Sequence, residues 1–200
     1  MSAIEATTTT TRDRLLAAAQ ELIEEGGYGA ASVVAIADRT GVAAGTLYRH
    51  FASKEELFVE LFRAVCGREE RAMRAAAEQL PDGTSASERL ETVLATFARR
   101  ALRNPRLAWA LIAEPVDPLV DAERLAYRER YAALIAEGLR AGIETGELPA
   151  QNVELTAAAL VGGCGEALVG PLSPVGRRGP DAAEIAASLQ TFVRRAVGAR

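Results

Sequence analysis

The sequence predicts an all-α protein, and three features carry that prediction. Alanine dominates the chain and β-branched residues are scarce, so intrinsic preference runs to helix almost everywhere. Apolar residues recur at three- and four-residue steps rather than alternating as strands require. Most of these stretches end at Gly or Pro, and several open on a Thr or Ser cap.

The elements follow in order. Thr10 with Asp13 caps a first helix, whose positions Leu15, Ala18, Ala19, Leu22 and Ile23 run to Gly26-Gly27. Ser32 caps a short second helix carrying Ile36 and Ala37, which ends at Gly41. A third, Ala44 to Phe51, presents Leu47 and Phe51 as its apolar positions. Ser53-Lys54-Glu55-Glu56 has the form of a capping box and opens a long fourth helix reaching Leu80, before Pro81-Asp82-Gly83. Helix five covers about Ala86 to Arg103, a short helix six Arg106 to Ala113, and helix seven Leu119 to Thr145. On helix seven, Leu125, Ala132, Ile135 and Leu139 define a buried face. Helix eight spans about Val153 to Val169, and a Gly/Pro/Arg loop leads to helix nine, Asp181 to Val197. About nine helices thus divide into a disordered tail (1–10), a small N-terminal unit (11–70) and a helical body (71–200).

Composition removes several functions. With 49% hydrophobic and 25% charged residues among 200, there is ample material for a core and no case for global disorder. A net charge of −4 opposes a protein that coats nucleic acid indiscriminately, though not a local basic surface. No apolar run reaches the roughly 18–20 residues a spanning helix needs, and the N-terminus lacks the apolar core of a signal peptide. No membrane partner is therefore expected, and the protein is read as cytoplasmic. Cys66 and Cys164 stand far apart in apolar stretches and read as two buried free thiols. The single histidine, His50, leaves no metal site and no Ser-His or Cys-His pair; no cofactor and no enzymatic activity are expected.

The informative stretch is 32–53. Two short helices joined by a three- or four-residue turn containing Gly make a helix-turn-helix. Ala37 must be small where the third helix crosses the second, Gly41 permits the positive φ of the turn, and Val42 and Leu47 fill the angle. Gly45-Thr46-Leu47-Tyr48-Arg49-His50-Phe51 follows, and two residues later Lys54-Glu55-Glu56-Leu57. Between Val33 and Lys54 the cations Arg39, Arg49 and Lys54 face one acid, Asp38; Arg12 and Arg14 can add to that surface.

These motifs, with Ala35-Ile36-Ala37 and Gly41-Val42, resemble the tetracycline-repressor family of bacterial transcription regulators over about residues 12 to 70. The resemblance implies a homodimer that reads a palindrome in double-stranded operator DNA, with an unknown small-molecule effector bound in the body controlling release. By position it implies a DNA-contacting set of Ser32, Arg39, Ala43, Ala44, Gly45, Thr46, Tyr48, Arg49, His50 and Lys54. Within that set Tyr48 and Lys54 hold phosphates, Thr46 and Arg49 face the major groove, and His50 lies at its edge. Ala43 and Ala44 depart from the polar residues common there and offer only apolar contact to thymine methyls.

In the body, the same resemblance implies that helices eight and nine pair with their symmetry mates as a four-helix bundle. Gly162, Gly163 and Glu166 on helix eight, with Leu189 and Phe192 on helix nine, are then the expected dimer surface, although internal core packing would use the same residues. Glu166, inside an apolar run, is a pocket or an interface acid. Phe97, Trp109, Tyr127 and Tyr131 fall in helices five to seven and are expected to border a mostly apolar pocket, although simple core filling would use the same rings. Two rivals stand beside this reading. A ligand-independent DNA-binding protein would have a collapsed body, and a helical enzyme would need paired carboxylates or a phosphate loop, which the sequence does not show.

Overall fold

Side-chain caps mark where every helix but the third begins. In the computed structural model, which describes residues 10–175 and 181–199, the order is α1 Thr11–Gly26, α2 Val33–Thr40, α3 Ala44–His50, α4 Lys54–Glu78, α5 Ala86–Arg103, α6 Pro105–Ile112, α7 Pro118–Glu144, α8 Val153–Leu172 and α9 Ala182–Ala196. A single 3-10 turn, Tyr28–Ala30, intervenes after α1. No strand occurs among the described residues. Thr10 and Ser85 form reciprocal capping boxes with Asp13 and Glu88, which satisfies two orphan N–H groups at each helix start. Asn104 and Asp117 cap α6 and α7 just ahead of a first-turn proline, a position where the missing N–H costs nothing.

Ser53 departs from expectation. Its hydroxyl accepts from the Glu56 N–H, but the Glu56 carboxylate reaches past Ser53 to the N–H of Ala52. The box is therefore opened by one residue, and Ala52 is held as well. Of the expected tail, residues 1–10, all but Thr10 lie outside the described residues, as do residues 176–180 of the loop before α9.

α1, α2 and α3 close over Leu15, Ala19, Ile36, Leu47 and Phe51, all 2% exposed or less. α4 enters this small core with Leu57 and Phe58, then continues into the body with Phe62, Val65 and Met73. It thus has a buried face in both units. In the body α5 lies between α4, α7 and α9, and α8 runs along α7. On α7, Ile135 and Leu139 are buried as expected, whereas Leu125 is 60% exposed. A Cβ on Gly142 would stand 2.6 Å from the Ala86 Cβ, so this glycine lets α7 approach α5 closely. Glu91, 3% exposed, accepts from the Ser87 hydroxyl and from two nitrogens of Arg194 at 2.9 and 2.8 Å, which ties α9 to α5.

α8 corrects the expectation drawn from apolar runs. By length and composition it could cross a membrane, because Glu154 and Glu166 interrupt the run without offsetting its Ala, Leu and Val content. In the fold it is a bundle member, buried at Ala157, Leu160, Cys164, Leu168 and Leu172.

Candidate functional site

α2 and α3 are set at the angle of a helix-turn-helix by Gly41, which takes the left-handed conformation at φ 69° and donates to the Ala37 and Asp38 carbonyls. The consequence is an exposed face made of Ala43, Ala44, Gly45, Tyr48, Arg49 and His50, with Thr46 half-buried beside them. Ala43 supplies no side-chain cap, so the first N–H groups of α3 are not covered by one. A Cβ on Gly45 would meet nothing within 4 Å, which leaves open space against α3's first turn. Arg49 donates to the Thr46 hydroxyl at 3.1 Å, one helical turn away, and this holds both side chains on one face. Ser32 is exposed and spends its hydroxyl on the Ala35 N–H.

The expected cations behave differently from one another. Arg39 grips Glu25 with two nitrogens at 2.6 and 2.7 Å and lies 3.5 Å from Glu21, so it is committed to α1. Arg14 donates to the Thr40 carbonyl at the end of α2, the kind of C-terminal carbonyl a cation satisfies well. Arg12 pairs with Glu60 and lies over the Phe51 ring. These three arginines secure the small domain rather than add to its exposed basic surface. Lys54, half-buried in the first turn of α4, holds its ammonium 5.2 and 5.1 Å from the ring centroids of Tyr28 and Phe58. A phosphate would have to draw it off those two aromatic faces.

Tyr28 lies at the junction of the two units. Its backbone N–H donates to Glu114 at 3.2 Å, and Arg106 donates to the Gly26 carbonyl at 2.8 Å while lying 3.6 Å from the same Glu114. Gly27 is required here: at φ 79°, a Cβ would lie 1.9 Å from the Arg106 guanidinium. Burial, with the nearby Asp117 and Glu55 carboxylates, raises the Tyr28 phenol above its ordinary range. The ends of α6 are thus fastened to the end of α1.

Behind α6 lies a cavity of about 570 Å³. Phe97, Tyr127 and Tyr131 border it as expected, with ring pairs Phe97–Tyr131 at 5.9 Å and Tyr127–Tyr131 at 6.0 Å. Trp109 does not: it packs half-buried against the core, while Leu107, Ala108, Leu111 and Ile112 of the same helix form the wall. An eight-residue helix has one narrow face for the cavity, and Trp109 is off it. The Tyr127 and Tyr131 hydroxyls donate to the Arg63 and Cys66 carbonyls at 3.0 and 3.1 Å, so the wall is bonded to α4.

Sequence reasoning missed the polar part of the wall. Arg124 and Arg128 join Tyr127 and Tyr131 at helical spacing, a pattern that was legible had charged residues been placed on the same wheel. Glu69 and Arg100 face each other across the cavity edge at 3.0 Å. Cys66 and Cys164 are free, buried and both on the wall. Burial pushes the Cys66 thiol up to about 12 and the Cys164 thiol to about 11.

The expected dimer residues divide. Phe192 is 43% exposed, but Leu189 is only 6% exposed and belongs to the core of its own protomer. Gly162 and Glu166 are exposed and also border the cavity. Gly163 faces inward, where a Cβ would stand 3.2 Å from the Phe192 ring of the same chain. The exposed small face of α8 is instead Leu155, Ala158, Ala159, Gly162 and Glu166.

Comparisons with known proteins agree with this architecture. The family described as bacterial regulatory proteins, tetR family, matches residues 15–61, and the family described as tetracyclin repressor-like, C-terminal domain, matches residues 83–196. The transcriptional repressor KstR of Rhodococcus jostii is 36% identical over 100 residues, 50% of this chain and 45% of that protein. The fatty acid metabolism regulator protein of Bacillus subtilis is 35% identical over 81 residues, 40% of each. The chain thus spans less than half the length of these curated relatives in its matches. Among solved structures, the fatty acid degradation regulator FadR of Bacillus halodurans superposes with a TM-score of 0.79 at 22% identity, covering 94% of this chain and 97% of that one. FadR of Bacillus subtilis, solved with stearoyl-CoA, gives 0.76 at 23% identity, with 92% and 97% covered. With the C-terminal match alone spanning more than half of its length, the chain belongs to the tetracycline-repressor family of bacterial regulatory proteins.

Proposed function

We propose that the chain is a transcriptional repressor that binds a palindromic operator as a homodimer and lets go when a mostly apolar small molecule fills the body cavity. The observation that carries this reading is the connection of the helix-turn-helix unit, at the end of α1, to the cavity wall through one short helix. α6 lines the cavity with Leu107, Leu111 and Ile112 and is bonded to Gly26 and Tyr28 at the base of the small domain. A ligand that displaces α6 therefore moves the recognition helix. Half-sites on DNA lie about one turn, roughly 34 Å, apart, so a few ångströms of misplacement costs operator affinity. Such a ligand acts only if it binds the released form better than the DNA-bound form. The open cavity favours this reading over a ligand-independent protein with a collapsed body. A regulator of this kind binds DNA in the cytoplasm and performs no chemistry of its own.

On DNA, Thr46 and Arg49 reach the base edges of the major groove, Ala43 and Ala44 touch thymine methyls, and the Tyr48 hydroxyl holds a phosphate. Footprinting on DNA flanking the protein's own gene should show a protected palindrome. Arg49→Ala should lose about 1–3 kcal/mol and relax the preference at one base position. Tyr48→Phe should weaken all sequences alike by about 1 kcal/mol. If neither substitution alters binding while the footprint persists, α3 is not the reading helix.

A further inference from the structure

Arg124 and Arg128 stand one turn apart on α7, at the same spacing as the Tyr127 and Tyr131 rings, and all four border the cavity. Arg124 is committed in an unusual way. Its Nε donates to the Leu111 carbonyl at 2.8 Å, one terminal nitrogen to the Ala110 and Glu114 carbonyls at 3.3 and 2.9 Å, and the other to Asp121 at 2.7 Å. It clasps the C-terminal end of α6, and one of its five N–H groups has no acceptor among the described residues. Arg128 makes no hydrogen bond or ion pair with any described residue and is exposed, so it stands where the cavity meets solvent. The charges on the wall are Arg100, Arg124 and Arg128 against Glu69 and Glu166. Glu69 is taken by Arg100, and Glu166 comes from α8 rather than from the arginine face.

We infer that the effector is an amphipathic anion: its apolar body fills the aromatic cavity and its head group lies on Arg128 and Arg124. This deepens, and rests on, the reading of the chain as a ligand-controlled repressor. A carboxylate brings a full negative charge and can take two parallel N–H groups of a guanidinium, which the separate neutral carbonyls of α6 cannot. It competes for Arg124 directly, and in doing so loosens the end of α6 that carries Glu114 and its bond to Tyr28. Arg128 makes the first contact at the rim, and Arg124 converts that contact into movement. A neutral molecule of the same shape would fill the cavity without this competition.

The test uses the full-length protein without DNA and three ten-carbon probes below their micelle concentrations: decanoate, decanol and decylamine. Titration should show decanoate binding at least tenfold more tightly than decanol, and decylamine more weakly than both. Arg128→Met, which keeps most of the apolar stem, should weaken decanoate at least fivefold and leave decanol unchanged. Hydrogen exchange across residues 110–116 should quicken with decanoate and not with decanol. Equal affinity for acid and alcohol, absence of decanoate binding, or preference for the amine through Glu166 would overturn the proposal. So would an Arg128→Met protein that binds decanoate as the wild type does. Binding is read here without operator, so loss of the repressor reading would appear separately, as failure of the unliganded protein to footprint DNA.

Discussion

The two cysteines show how a residue's surroundings decide its chemistry. Both line a cavity into which small reagents can diffuse, yet burial holds the Cys66 thiol near 12 and the Cys164 thiol near 11, against an ordinary value near 9. The thiolate is the nucleophile, so a neutral thiol reacts slowly even where it can be reached. At pH 8 the native protein should release little colour with Ellman's reagent, and both thiols should react once it is unfolded. Prompt reaction of both in the native state would contradict the buried placement. The same shifts set a pH dependence. The unfolded chain sheds these protons from about pH 9, whereas the folded chain keeps them. The stabilisation is complete below that value and is lost as pH rises through about 11 and 12. Urea midpoints should accordingly fall across that window, and Cys66→Ala should lessen the fall. The arginines carry the complementary lesson. Arg12, Arg14 and Arg39 look alike in the sequence to Arg49, but acids placed nearby by the fold engage Arg12 and Arg39, and an orphan carbonyl engages Arg14.

α6 is the element whose role depends most on what it touches. In isolation eight residues bounded by proline are a marginal helix, and its position comes from bonds at its edges: Arg124 across its C-terminal carbonyls, Arg106 and Glu114 across to α1. Glu114→Ala removes the acceptor of the Tyr28 N–H and the partner of Arg106 together. An amide left without a partner costs about 1 kcal/mol or more, which for a chain of this size lowers Tm by roughly 2–4 °C. Amide exchange at Tyr28 should quicken by a larger factor than that of the buried residues of α5. If exchange at Tyr28 is unchanged, the small domain is fastened to the body elsewhere. Helix order and nearly all boundaries were legible in the sequence because caps, glycines and prolines act locally. The outward face of α3 was legible too, since Leu47 and Phe51 leave only one side free. What could not be read were contacts between distant segments. Trp109 misses the cavity by one position on its helix, Leu189 is buried in the core of its own chain, and the bond between Tyr28 and Glu114 spans 86 residues.

At the scale of the whole molecule, the question is what covers α8. It is the most apolar helix of the chain, yet Leu155 is 68% exposed, and Ala158, Ala159 and Gly162 are exposed with it along one side. Phe192 of α9, 43% exposed, extends the same apolar surface by packing beside Gly163. A contiguous patch of this kind marks an interaction surface, and small residues at helical spacing suit a close crossing with a second copy about a twofold axis. Dimerisation through α8 and α9 would relate the two α3 helices by one twofold axis, the symmetry a palindrome requires. Ala159→Arg tests this without touching the core, because the new side chain has solvent to occupy in the monomer. It should sediment as a folded monomer at micromolar concentration, where the wild type sediments as a dimer. Its operator affinity should drop by a factor of 100 or more, since two linked half-sites bind roughly 10²–10⁴ times more tightly than one. Leu189→Ala should behave in the opposite way: lower Tm from the lost core contact, with the dimer intact at temperatures where the chain is folded. A wild type that sediments as a monomer, or an Ala159→Arg protein that remains a dimer, would place the interface on another face of the body.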